Sequence, residues 1–344
     1  MTTYLSECRP GVQRWLDAVR APNTGWGRWK YNAHMLRPYG LISSGIAILI
    51  HKQIGALADI PPAQRQEAIE FFQSTQDPQD GYFKDPLVRE TDRVPDAIHS
   101  WEDIWGQMGV AARALAALGA APLYPLPATS FADLRSPGIR AEVLRWNWAN
   151  PWHVGERFYR AVAAFRGPAG DPLVENFFQI YETEIHDPAT GMPLRRGCQD
   201  SSVAMAGLFK MMWAYEHVNR PVPAARAAVD FTLGLQHADG EFGFRNNMCI
   251  NFDALWVLYR LDRQLGGAYR HADIVAAGNR LAELLMQTYR KADGGFAFTG
   301  TTCWTVHHSI RISEAYPEGD VVGTNMALDC LIYADEWNHS GNDS

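Results

Sequence analysis

The apolar positions of this chain fall into two alternating kinds of segment. In "PPAQRQEAIEFFQSTQ" (61–76), "GDPLVENFFQIYETEI" (170–185), "PVPAARAAVDFTLGLQ" (221–236) and "HADIVAAGNRLAELLMQTYR" (271–290) they lie on one helical face, with Asp171 and Pro172 supplying an N-cap and a first-turn proline. In "IWGQMGVAARALAAL" (104–118), "SSVAMAGLFKMMWAY" (201–215) and "FDALWVLYRL" (252–261) they run nearly all round the helix, the pattern of a helix buried on both sides. The first kind predicts outer helices and the second predicts inner ones. Segments 39–55, 150–165 and 320–337 complete the inner set, and helices near 10–20 and 137–147 complete the outer set, so six of each are expected.

The loops that lead from an outer to an inner helix repeat as well: "QDPQDGYF" (76–83), "HDPATGMP" (186–193), "QHADGEFGF" (236–244) and "KADGGFAF" (291–298). Gly81, Gly191, Gly240 and Gly294 are separated by 110, 49 and 54 residues, which marks a unit of about fifty residues. Glycine permits a positive-φ turn and aspartate hydrogen-bonds the local backbone, so Asp80, Asp239 and Asp293 are expected to be structural. Twelve alternating helices predict an all-α (α/α)6 toroid of six helical hairpins, as one domain over 1–344. The Gln-x-x-Asp-Gly-x-Phe repeat resembles that of the terpenoid-cyclase and protein-prenyltransferase β-subunit superfamily, and the layout is similar to six-hairpin glycosidases and (α/α) polysaccharide lyases. The resemblance runs from about residue 60 to 337 and implies an architecture rather than a reaction.

Composition narrows the class. The 344 residues are 47% hydrophobic and 20% charged, with 12 Trp and a net charge of -7, and no basic run suggests a nucleic-acid partner. The apolar stretch at 40–50 is too short to span a bilayer, and the first twenty residues lack the layout of a signal peptide. A cytoplasmic protein with reduced thiols is therefore expected, its five cysteines being odd in number and without disulfide-framework spacing. Nothing in the sequence indicates an oligomeric state.

In a toroid of this design the N-terminal ends of the inner helices open onto one mouth. Asp103, Asp200 and Asp253 are the candidate catalytic acids there, with His307 as a candidate base. Tyr39, Trp101, Glu102, Trp152, His153, Asn251, Trp304 and His308 are the candidate substrate-binding residues. Any one of these aspartates serves equally as a helix cap. Cys198, Cys249 and Cys303 follow Gly191, Gly240 and Gly294 by 7, 9 and 9 residues. The prenyltransferase resemblance implies a zinc site built from an Asp, a Cys and a His of successive repeats, with Cys249, Asp253, Cys303 and His307 as candidates. The stretch "CINFD" reverses the order of that family's Asp-x-Cys and lengthens its spacing, so no metal or cofactor is expected and the cysteines are expected to pack as small buried residues. The long connection at 299–319 is expected to form a lid or substrate wall, or else a surface helical turn.

These features point to a carbohydrate-active enzyme, a glycoside hydrolase or polysaccharide lyase, acting on a small-molecule or oligosaccharide substrate. Hydrolysis needs two carboxyls across the scissile bond, whereas a lyase would use His307 or Tyr39 to take a proton. One alternative is a terpenoid-cyclase or prenyltransferase-like enzyme, although neither Asp-x-Asp-Asp nor Asp-Asp-x-x-Asp occurs in the chain. The other is a non-catalytic toroid that binds a glycan or a protein.

Overall fold

A computed structural model describes residues 3–94, 102–127, 138–165 and 172–340. Among the described residues each expected outer helix is present: α1 (Tyr4–Val19), α3 (Pro62–Ser74), α5 (Ile139–Arg145), α7 (Pro172–Ile180), α9 (Ala225–Leu233) and α11 (His271–Leu284). Each expected inner helix is present too: α2 (Leu41–Gln53), α4 (Glu102–Ala117), α6 (Pro151–Phe165), α8 (Ser201–His217), α10 (Met248–Gln264) and α12 (Val321–Ser340). The two kinds alternate without exception. Helix α8 buries Ala204 through Phe209 in succession, while α3 buries only Ala68, Phe71 and Phe72, as its one apolar stripe requires. No described helix is long and apolar enough to cross a membrane.

By backbone contacts the chain divides into two compact units. Met1–Pro127, Asn246–Met248 and Ala282–His339 form the first, and Ala128–Arg245 with Cys249–Leu281 forms the body of the second. The first holds α1 to α4 and α12; the second holds α5 to α9 and nearly all of α10.

Four of the outer-to-inner loops are built on one plan. Backbone bridges pair Gln76 with Phe83, Asp187 with Met192, Gln236 with Phe242 and Arg290 with Phe296. Asp80, Asp239 and Asp293 each accept the N–H two residues on, from Tyr82 (2.9 Å), Glu241 (3.2 Å) and Gly295 (3.0 Å). The side-chain amides of Gln76 and Gln236 each donate to the carbonyl of the loop glycine at 3.0 Å, tying the turn to the end of its helix. Beneath the turns Phe83, Phe242 and Phe296 are fully buried. Their counterpart in the first repeat is Trp29, bridged to Arg20 and following Gly27, in a loop that carries no Asp-Gly.

A second anchor comes from the fourth residue of an inner helix. Trp29 N–H donates to Ser44 Oγ (3.0 Å), Phe242 N–H to Asn251 Oδ1 (2.8 Å) and Phe296 N–H to Thr324 Oγ1 (2.9 Å). Three different short side chains thus do one job. Each supplies an acceptor to a buried backbone donor that would otherwise be costly to leave unpaired.

The glycines are needed for closeness as well as for φ. Gly294 has φ +101°, and a Cβ there would lie 2.4 Å from the Gly11 carbonyl of α1. Gly119, at φ +80°, has nothing within 4 Å of such a Cβ. Gly119→Ala is therefore expected to cost the left-handed penalty alone, about 1–2 kcal/mol. Gly294→Ala should add an overpacking cost of about 1–3 kcal/mol more. Urea unfolding of the two variants side by side measures the difference.

Candidate functional site

Asp253 occupies the second turn of α10, is 3% exposed, and has one carboxyl oxygen without a hydrogen-bond partner. The other receives the side-chain hydrogen bond of Trp152, near the start of α6. Burial pushes the carboxyl well above the usual range, outweighing the opposing pull of the Lys210 charge and the Trp152 hydrogen bond. Burial therefore favours the protonated form of Asp253 more than in a solvated aspartate. Between α8 and α10 the rings pack on one another, with Phe209 centred 5.0 Å from Trp256 and 5.6 Å from Phe252.

Glu156, one turn beyond Trp152 on α6, is held by Arg160 and by Lys210, whose Nζ lies 3.4 Å from its Oε2. Lys210 also sits 4.5 Å from the ring centre of Trp213, so its charge is held between a carboxylate and an aromatic face. Close helix packing makes this reach available. A Cβ on Gly155 would lie 2.7 Å from Lys210 Cβ, and one on Gly207 would lie 2.6 Å from Pro151 Cβ, so glycine on both α6 and α8 brings the two helices together. The second unit thus holds a buried acid of raised pKa and an ion-paired carboxylate, with the charge of one lysine acting on both. Sequence reasoning assigned a role to neither Glu156 nor Lys210, although Lys210 left a mark. The signal was present, because a lone lysine inside "SSVAMAGLFKMMWAY" interrupts an otherwise apolar helix and must find a partner.

His307 lies in the first unit on a two-stranded antiparallel hairpin, β1 (Val306–His307) and β2 (Ile310–Arg311), rather than on a helical turn. The two-residue turn has φ +47° at His308 and +64° at Ser309, the left-handed pair that such hairpins demand and that Asn-Gly usually supplies. His307 Nδ1 is hydrogen-bonded to the hydroxyl of Tyr31. Its ring stands 4.4 Å from Trp304, which stacks on Phe298 at 4.0 Å, and 4.0 Å from His308. Burial, and then the neighbouring His308, drive its pKa well below the usual imidazole value, so it stays neutral. The adjoining cavity, bordered by Arg37, Ser43 and Gln107, measures about 20 Å³, room for a water and too little for a sugar ring. A larger groove of about 590 Å³ in the same unit is lined by Arg20, Trp26, Lys30 and Glu67, and none of the predicted site residues borders it.

The remaining predicted residues are placed as follows. Asp200 is the exposed N-cap of α8 and accepts from Ser202 N (2.8 Å) and Val203 N (3.0 Å). Asn251 anchors the Phe242 loop as described above. Tyr39 packs edge-on against Phe71 at 5.7 Å, with the Arg28 guanidinium over both rings. His153 neighbours Trp152 at 6.2 Å. Trp101 lies outside the described residues, as do the side chains of Glu102 and Asp103. Cys249 and Asp253 belong to the second unit, and Cys303 and His307 to the first. Among the described residues no group of three or more His, Cys, Asp or Glu side chains is arranged to hold a metal. The Cys303 thiol instead donates to the Glu314 carbonyl, and burial raises its pKa.

The fold has known counterparts. A cellobiose 2-epimerase from Bacillus thermoamylovorans superposes with a TM-score of 0.51 at 12% identity, covering 98% of this chain and all of that one. The type II terpene cyclase MstE from Scytonema, with geranylgeranyl dihydroxybenzoate bound, gives 0.50 at 12% identity, covering 97% of this chain and 98% of its own. The fold is the (α/α)6 toroid. No known family profile matches the sequence, and no curated protein does. At these identities the likeness is one of toroid architecture alone.

The buried acid makes a stability prediction. A carboxyl whose folded pKa is raised contributes its stability below the unfolded value near 3.9 and loses it as pH rises through the folded value. Asp253→Asn, which keeps the shape of the protonated acid, removes that dependence. Between pH 4 and 8 the stability difference is expected to move steadily in the variant's favour, as read by urea midpoints at four or five pH values.

Proposed function

We propose that this chain is a carbohydrate-active enzyme in which Asp253 is the proton donor and Glu156 the partner carboxylate. The observation that supports this most directly is the setting of Asp253: buried so that it holds its proton more tightly, bonded by the Trp152 indole, and unpartnered on one oxygen. A glycoside oxygen would take the proton from Asp253, and the anomeric C–O bond would break with its electron pair left on that oxygen. The positive charge that develops on the sugar would face the Glu156 carboxylate. Water then adds to the anomeric carbon and returns a proton. Two carboxyls whose surroundings hold them in opposite charge states are what this chemistry requires. Trp152 and Trp256 would supply flat apolar faces for the sugar ring.

A second reading has its own support. Phe209 packs on both Phe252 and Trp256, the residues before and one turn after Asp253 on α10, and such ring faces could stabilise the cation formed when an acid protonates an alkene. The shared fold with a type II terpene cyclase is consistent with it.

The test is a turnover screen of the full chain on neutral di- and oligosaccharides, with a polyprenyl substrate as the competing arm. On the saccharide arm, Asp253→Asn is expected to lower kcat by about 10²–10⁴-fold. Activity of the wild type should fall as pH rises through the Asp253 pKa, because the donor form is then lost. Activity on the polyprenyl arm alone selects the second reading. Unchanged saccharide turnover in Asp253→Asn removes Asp253 from the mechanism.

A further inference from the structure

We infer that the inner helices of the first unit carry a binding site for the hydroxyl groups of a neutral saccharide or polyol, centred on Gln53, Asn325 and Asp329. Gln53 is the last residue of α2. Its side-chain N–H2 donates to Asp329 Oδ1 at 2.7 Å and to the Asn325 carbonyl at 3.0 Å. Both amide hydrogens are committed, which fixes the orientation of the group. Gln53 Oε1 is left buried with no hydrogen-bond partner. A native structure rarely tolerates such an acceptor unless water or a ligand donates to it.

Asn325 and Asp329 lie one turn apart on α12, and both are only partly buried. Asn325 Nδ2 reaches Asp329 Oδ2 only at 3.5 Å, so this carboxyl oxygen is weakly engaged. The cluster is therefore rich in acceptors and short of donors, and the ligand that completes it must bring donors. The Arg113 charge already acts on Asp329, so a second cation would meet repulsion there. Neutral O–H groups supply the missing donors without it. One hydroxyl would donate to Gln53 Oε1 and its neighbour on the same ring or chain would meet Asp329. The site lies wholly in the first unit and does not rest on the reading of Asp253.

The experiment titrates glucose, cellobiose and sorbitol separately into isotopically labelled full-length protein, following the side-chain amide signals of Gln53 and Asn325. Sodium and potassium chloride at matched concentration form the control arms. Saturable shifts with at least one of the three hydroxylated probes, absent with the salts, are expected. Gln53→Met keeps the length of the side chain and removes the acceptor, and should weaken that binding at least tenfold. Asp253→Asn should leave it unchanged, which separates this site from the proposed catalytic one. Shifts driven by sodium or potassium overturn the proposal. So do the absence of any shift with all three probes, and unaltered affinity in a folded Gln53→Met. Should that variant fail to fold, the wild-type titrations still decide the ligand class.

Discussion

The backbone of an outer-to-inner loop meets the next outer helix at a separation that leaves no room for a Cβ, and the packing of each unit follows from that contact. Gly27 meets Ala68 of α3, Gly191 meets Ala228 of α9, Gly240 meets Arg280 of α11 and Gly294 meets Gly11 of α1, all closer than 3 Å to a notional Cβ. A side chain at any of these points would drive helix from loop. The loop aromatic beneath would then lose the floor it packs on, and the inner helix would lose its anchored starting point. Because Ser44, Asn251 and Thr324 clip the Gly27, Gly240 and Gly294 loops from the inner side, those three junctions are held from two directions. Rigidity at these junctions is what allows polar side chains early in the inner helices to be held in defined places.

Within that frame the chemistry is set by burial more than by proximity of charges. The Asp253 pKa is raised chiefly because water has been excluded around it, and the lysine nearby only moderates the effect. Glu156 differs because two cations hold it directly. His307 is the converse case, an imidazole whose pKa burial lowers while a tyrosine hydroxyl and neighbouring rings contact it. The same physical cause favours the proton-bearing form of a carboxyl in one unit and the proton-free form of an imidazole in the other.

Much of the architecture was legible in the sequence, because helical periodicity and the glycine turns are local signals. All twelve helices lie where the apolar pattern puts them, to within a few residues. The first repeat loop was not recognised, since "GWGRW" has no Asp-Gly, yet Gly27-Arg28-Trp29 shares the spacing of Gly81-Tyr82-Phe83 and Gly240-Glu241-Phe242. Glycine followed two residues later by a large ring was the more general mark. The sequence could not separate caps from catalysts. Asp200 and Asp253 look alike in one dimension, and only burial distinguishes an exposed residue bonded to the first turn of α8 from a buried one bonded by the Trp152 side chain. The hairpin at 306–311 was also hidden, because its turn uses His308 and Ser309 where Asn-Gly would have announced it.

The joint between α1 and the end of the chain has a consequence of a different kind. Asp335 on α12 accepts the N–H groups of Tyr4 and Leu5 at 3.0 Å, and Gly294 and Gly295 seat against Gly11 and Trp15. These partners of the first helix lie some three hundred residues away from it in sequence. Contacts of such separation carry a large loop-closure cost and form slowly, so the face of α1 that they cover stays open to wrong partners until the two segments meet.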